Sequence, residues 1–466
     1  HAADPPRNWN DGASPPPYNS PNSNPATFST EERNRIIEIW QRVAEDYSMY
    51  DIDVTTEEPD IEALRKTAPG DSAYGIRVVI GGSGNDWFGS NVGGVAIVGS
   101  FDAGNDLPCW VFPAGSGYTA KNVAEAASHE AGHTLGLLHD GIEGGASYYA
   151  GQGNWAPIMG NSYNKPISQW SRGEYADANN TEDDLAVMLT QGAVYRPDDH
   201  GGTMATATKV GTDSGSATID GVIERRSDID FFRVEATGGP LTIDATPAPS
   251  GANLRIEVKL YNGGGQLLQT ATAADTTNGT QPVTLSRSVA AGIHYISIDG
   301  IGNGNPATTG YSDYASLGQY GLMVTGVVPD GFTWLATTGG AKQWNAAGNW
   351  VDGSVPAGLA PNVRINNNIT GNQTIQLTGA TPVGRLFLGD SNGTHAFTLA
   401  SGSLAFANPA ELSKTSGGND AVTAPVSLAG ELVLTQSAVG YLSFSGGIGG
   451  AGLLTQAGAG TVAFCE

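Results

Sequence analysis

The stretch His-Glu-Ala-Gly-His-Thr-Leu-Gly-Leu-Leu-His-Asp at 129–140 constrains this chain more than any other. It holds three of the seven histidines found in 466 residues. Positions four apart share one helical face, so His129 and His133 can aim two ring nitrogens at a common centre. Glu130 lies beside that face, within reach of a metal-bound water without being a ligand. Gly136 lets the chain leave the helix in a backbone conformation other residues resist, and the turn can return His139 as a third nitrogen. Three protein ligands leave a fourth position open, which marks a catalytic zinc site rather than a closed structural one. A histidine pair on a helix can also be a buried polar pair, but that reading does not account for the third histidine, the glycine and the glutamate together.

The full pattern H-E-x-x-H-x-x-G-x-x-H closely resembles the metzincin zinc endopeptidases. A second stretch strengthens the resemblance: "APIMG" places Met159 in a Pro/Gly-bounded turn twenty residues after His139, as a Met-turn should look. The resemblance implies that Met159 forms a hydrophobic floor under the metal and is not a ligand. Asp140, directly after the third histidine, is similar to the aspartate of the adamalysin/reprolysin branch, which supports local structure. One departure stands out. Some branches carry a tyrosine two residues after that methionine, whereas here the first is Tyr163, four residues on. A loop could still bring Tyr163 to the site, but a packing or surface residue is the favoured expectation, and it is not counted as a ligand.

Formal charge is −24, from 46 acidic and 22 basic residues, which argues against nucleic-acid or anionic-membrane partners. Acidic, Gly- and Asn-rich loops can hold structural calcium, or can simply be a solvated surface. No run of 18 or more apolar residues is present, so no spanning helix is expected. The chain opens on His1 rather than Met, consistent with removal of an upstream segment. Cys109 and Cys465 form no disulfide framework; a long-range bond and two separate thiols are equally admissible.

Along the chain, residues 1–28 read as a Pro/Asn/Ser-rich extended arm. Residues 29–195 read as an α/β (α+β) catalytic domain. Its first helix has Ser29 and Thr30 as cap signals and an Ile36, Ile37, Trp40, Val43, Tyr47 face. Strand-like runs follow at 51–56, 74–82, 93–101 and 108–113, then the motif helix at 120–136 and a closing helix in "NNTEDDLAVMLT". The metzincin resemblance implies that 93–101 is the sheet edge along which a peptide substrate adds as a strand. Residues 196–328 carry β-runs at 228–236, 241–247, 254–262, 282–289, 294–302 and 320–328, a β-sandwich pattern. "DDHGGTMATA", "SDIDFFRV" and "AAGIHYISIDG" resemble the bacterial pre-peptidase C-terminal domain, with structural roles expected for His200 and His294. Residues 329–466 show short strands and Gly/Asn/Ser turns of a β-solenoid, and the last segment resembles autotransporter-associated β-strand repeats. The chain stops immediately after such a repeat, so a longer precursor is expected.

The expected function is a secreted, bacterial zinc metalloendopeptidase: His129, His133 and His139 hold one Zn²⁺, Glu130 is general base and acid, and the β-modules serve attachment to a cell surface or matrix. Ser128 has no basic partner in pattern and reads as a helix residue. Two competitors remain: an adhesin with a protease-like scaffold, and a zinc hydrolase of non-peptide bonds. Since every nameable catalytic residue precedes residue 160, a fragment ending at 195 is expected to be active if the β-modules only direct the enzyme.

Overall fold

The computed structural model describes Tyr18 and residues 27–211, 216–327, 331–353, 355–357, 361–414 and 416–465. The expected N-terminal arm therefore lies almost wholly outside the described residues. The chain divides into two compact units, 1–210 with 216–327, and 328–466 with 211–215.

The first unit opens with helix α1, Thr30–Asp46. Ser29 and Glu32 form a reciprocal capping box, in which the Glu32 backbone N–H donates to Ser29 Oγ and the Ser29 N–H donates to the Glu32 carboxylate at 2.8 Å. The motif helix α2 is Ala120–Thr134, with Thr119 as N-cap, and almost its whole surface is buried. The two helices are tied by Tyr47 Oη donating to the Ser128 carbonyl at 2.8 Å and Ser128 Oγ donating to Asp46 at 2.6 Å. Ser128 is thus a structural helix residue.

Beside α2 lies a small sheet of strands β1 (Val78–Ile80), β2 (Gly94–Val95) and β3 (Cys109–Val111), in the order β1-β3-β2. β3 is parallel to β1 and antiparallel to β2, which leaves β2 at an edge. The strands are shorter than the sequence predicts. Residues 51–56 form no strand: Asp51 N–H donates to the Val194 carbonyl, and the Val54 carbonyl accepts from the Trp40 indole, so no ladder is available. In 93–101 the ladder ends at Val95, and Gly99, at φ +71°, turns the chain away. There the Gly99 and Phe101 N–H groups donate to the carbonyls of His133 and Thr134, both at 2.9 Å. That segment satisfies the open C-terminal end of α2. The closing helix α3 runs Asp184–Thr190, its first turn capped by the Asp183 side chain.

Residues 208–325 form two facing sheets. One has five strands: Leu267–Thr272, Ile256–Asn262, Gly292–Gly300, Ile229–Ala236 and Thr208–Lys209, in that spatial order. The other has four: Val283–Val289, Gly239–Pro247, Gly318–Thr325 and Ser216–Ile223. The six expected strands are present. Leu267–Thr272 escaped sequence reading because it is an edge strand with no buried position to set a pattern. His200 and His294 do take structural positions, the first packed edge-on against Phe232 at 4.7 Å and the second in the Gly292–Gly300 strand.

One hydrophobic core runs from Ile39, Tyr50, Leu185 and Met188 into Ile223, Leu254, Leu317 and Tyr320. Hydrogen bonds cross the same ground. Asn253 donates to Asp46 at 2.8 Å, Gln319 donates to Glu45 at 3.1 Å, and Gln152 donates to the carbonyls of Pro306 and Gly310. An active fragment ending at 195 would have to expose that shared interior. That shared core argues against independence, because the sandwich supplies part of the interior around Tyr50, Leu185 and Met188.

The second unit is a β-solenoid of parallel strands stacked coil on coil. Leu404, Val426 and Ile448 align in successive coils, 22 residues apart at each step. Phe397, Leu399, Leu412, Leu434 and Leu442 fill its interior. At its first coils Trp334, Trp344 and Trp350 pack edge to face, and the Trp350 indole donates to the Trp344 carbonyl at 2.6 Å. Lys414 and Asp420 form a fully buried ion pair.

Candidate metal centre

α2 and the turn after it bring His129, His133 and His139 together, with a ring nitrogen of each within 4.8 Å of the others. Gly136 makes the return possible at φ +94°, a conformation that strains any residue with a Cβ. The orientation of two rings is fixed by carbonyls. His129 Nδ1 donates to the Ile158 carbonyl at 2.8 Å, and His133 Nδ1 donates to the Leu137 carbonyl at 2.7 Å. Carbonyls only accept, so both protons sit on Nδ1, and both Nε2 lone pairs are left for the centre. His133 Nε2 and His139 Nε2 face one another at 2.9 Å.

Burial holds the imidazoles neutral. It pulls His129 down to about 4, His133 well below the usual range, and His139, which also feels the charge of His129, to about 3. Three convergent neutral nitrogens in a buried site are the donor set a borderline-soft divalent cation accepts.

Glu130 is 6% exposed, and its Oε2 has no hydrogen-bond partner. Burial pushes its carboxyl up to about 8. The carboxylate lies against the sheet edge: a Cβ on Gly94 would stand 2.7 Å from Glu130 Oε1. Only glycine therefore fits where β2 passes the glutamate.

Met159 is fully buried beneath α2, where a Cβ at Gly132 would meet its sulfur at 2.9 Å. The Met159 carbonyl accepts from the Asp140 N–H at 2.9 Å, which joins the turn after the motif to the methionine turn. Asp140 is 1% exposed, and burial followed by the charge of Glu182 raises its carboxyl to about 7.

Two aromatic residues lie near this centre. The Tyr148 ring lies 4.4 Å from the His139 ring and 6.0 Å from that of His129, centroid to centroid. Tyr163 sits by the edge strand, where a Cβ on Gly93 would come within 2.7 Å of its hydroxyl. Burial, then the charges of Glu130 and Glu125, push the Tyr163 phenol up to about 12. The sequence favours a packing or surface role for Tyr163 and does not single out Tyr148, because loops set where both rings lie.

Comparison with known proteins fits this geometry. Residues 35–140 match the family described as Metallo-peptidase family M12B Reprolysin-like, which implies a zinc metallopeptidase domain in that segment. Among solved structures, the chain is similar to the pre-peptidase C-terminal domain of a collagenase from Bacillus anthracis, at 14% identity, covering 28% of this chain and 100% of that one, with a TM-score of 0.18. It is also similar to PliG of Aeromonas hydrophila, a periplasmic inhibitor of g-type lysozyme, at 13% identity, covering 26% of this chain and 96% of that one, with a TM-score of 0.18. No curated protein matches. Among the described residues no helix is long and apolar enough to cross a membrane.

Proposed function

We propose that this chain is a secreted zinc endopeptidase in which His129, His133 and His139 hold the metal and Glu130 is the general base. One observation carries the reading: three neutral, convergent imidazoles stand beside a buried carboxylate oxygen that has no partner. When bound, zinc supplies Lewis acidity to the substrate carbonyl and lowers the pKa of a water toward about 7. Glu130 takes the proton of the attacking water and returns it to the leaving amide nitrogen. The Ile158 and Leu137 carbonyls keep two rings in the tautomer the site needs. Gly136 delivers the third ring, Asp140 ties the turn to the methionine segment, and Met159 is the packed floor beneath α2.

The open side of β2 is where an extended peptide adds as a further strand, through main-chain hydrogen bonds. This strand is short, Gly94–Val95, so it aligns only the residues next to the cleaved bond. Residues 29–195 constitute the catalytic module and 196–328 a sandwich that completes its core. Residues 329–466 are a repeat module suited to attachment at an extracellular surface. The test is hydrolysis of an unfolded protein by the full chain with and without chelator, alongside elemental analysis. Zinc at one per chain and chelator-sensitive cleavage are expected. A metal-free protein, or one that binds zinc yet cleaves no peptide, would leave the scaffold or non-peptide readings.

A further inference from the structure

The loop at 301–317 joins the sandwich strands Gly292–Gly300 and Gly318–Thr325, yet it reaches onto the segment between His139 and Met159. It arrives already braced. Asn303 and Tyr311 each donate a backbone N–H to the other's carbonyl at 2.9 Å. The Asn303 amide and the Tyr311 hydroxyl both donate to Asp275 Oδ2, at 2.8 and 2.7 Å, which pins this hairpin to the sandwich. At its tip the Asn305 carbonyl accepts from the N–H groups of Thr308, Thr309 and Gly310.

Two carbonyls of the loop find their donor on the catalytic side. Gln152 Nε2 donates to the Pro306 carbonyl at 2.6 Å and to the Gly310 carbonyl at 2.7 Å. Carbonyls only accept, so the amide nitrogen must face them, and Gln152 Oε1 turns away to accept from the Tyr149 hydroxyl at 3.1 Å. The fit is close: a Cβ on Gly153 would stand 2.7 Å from the Thr309 carbonyl, and the Tyr311 ring stacks on Trp155.

Tyr149 passes this restraint to the metal centre. Its ring stacks on Tyr175 at 4.1 Å. Its N–H donates to the Asp140 carbonyl at 2.7 Å, and its carbonyl accepts from the Asn161 N–H at 2.8 Å. The preceding residue, Tyr148, is thereby held with its ring 4.4 Å from that of His139 and 37% exposed. One line of contacts thus runs from Asp275 in the sandwich to an open aromatic face beside the three imidazoles.

We propose that Gln152 is a positioning residue through which the sandwich loop holds Tyr148 in place, and that Tyr148 receives a large apolar side chain next to the cleaved bond. The inference rests on the zinc endopeptidase reading and names a substrate class for it. Covering that ring with Leu or Phe rather than Ala is worth about tenfold in kcat/KM. Such a contact is equal in the ground and transition states, so its loss appears in KM and not in kcat.

The test uses the full zinc-loaded chain and peptides that differ only in carrying Leu, Phe or Ala on either side of the cleaved bond. The wild type should prefer Leu or Phe at one of these positions, and Tyr148→Ala should abolish the preference. Gln152→Glu keeps the size of the side chain and its acceptor for Tyr149, but at neutral pH it has no proton for the two carbonyls. It should raise KM for the preferred peptides about fivefold or more, with kcat within about twofold and the Ala peptides little changed. In a Tyr148→Ala background it should add nothing. Hydrogen exchange should quicken at the Tyr149 and Asn161 amides and stay unchanged along α2. Tyr311→Phe, which frees the hairpin from Asp275 without touching the catalytic side, should shift selectivity the same way, and it decides the matter if Gln152→Glu does not fold. Unchanged exchange at Tyr149 and Asn161, equal losses on Leu and Ala peptides, or an undiminished effect without Tyr148 would each overturn the proposal. A wild type that cleaves no peptide would refute the endopeptidase reading and the substrate class with it, while the exchange rates would still decide whether the sandwich loop holds the segment.

Discussion

Gly94→Ala offers a sharp test of how the sheet edge and Glu130 work together. A Cβ there would stand 2.5 Å from Glu130 Cγ, 2.7 Å from Oε1 and 2.6 Å from the Trp110 carbonyl, against an ordinary contact of 3.4 Å or more. Either the strand or the glutamate must retreat by about 0.7–0.9 Å to reach that distance. A misplacement of about 1 Å at a reacting group can cost about 10²-fold, or about 2.7 kcal/mol of transition-state stabilisation. The histidines are held from the other side, by the Ile158 and Leu137 carbonyls, so zinc should stay bound. The assay is kcat/KM for a peptide substrate, with zinc content and a thermal melt measured on the same preparation. In a Glu130→Gln background the alanine should lower the rate no further, because the group it displaces no longer acts. A folded, zinc-loaded Gly94→Ala enzyme within threefold of wild type would refute the coupling of edge strand to base.

Glu130→Gln alone should keep zinc and lose about 10²-fold or more in peptide hydrolysis, whereas His139→Ala should lose zinc affinity itself; elemental analysis beside the rate separates the two. A fragment ending at residue 195 should show no cooperative melt, since it exposes Tyr50, Leu185 and Met188; a sharp unfolding transition by circular dichroism would contradict the shared core. Glu45 is fully buried, and burial raises its carboxyl to about 8 beside Asp46, against about 4.5 in an unfolded chain. A raised folded pKa contributes stability that is complete below about pH 4.5 and is lost as pH rises through 8, on the order of several kcal/mol. Glu45→Gln should flatten that decline and melt higher than wild type at pH 8–9; a parallel pH dependence would place the titration elsewhere.

The motif at 129–140 was legible because its constraints are local. Helical periodicity puts His129 and His133 on one face, and a single glycine sets the return of His139, so no distant contact is needed to read it. The α1 cap, the closing helix and most sandwich strands follow from the same short-range rules. The run at 51–56 did not, because Ile52 and Val54 alternate like a strand while the Asp51 N–H is taken by the Val194 carbonyl and the Val54 carbonyl by the Trp40 indole, far along the chain or on another element. The places of Tyr148 and Tyr163 were not legible for a related reason: loops carry them, and loop paths are set by what they pack upon; the fit of Gly94 against Glu130 depends on how a strand packs on a helix. The carboxylates from Asp198 to Asp230 read as solvated charge along the chain. Only folding buries Glu224 and Asp230, since desolvation is a property of the surrounding structure and not of the residue.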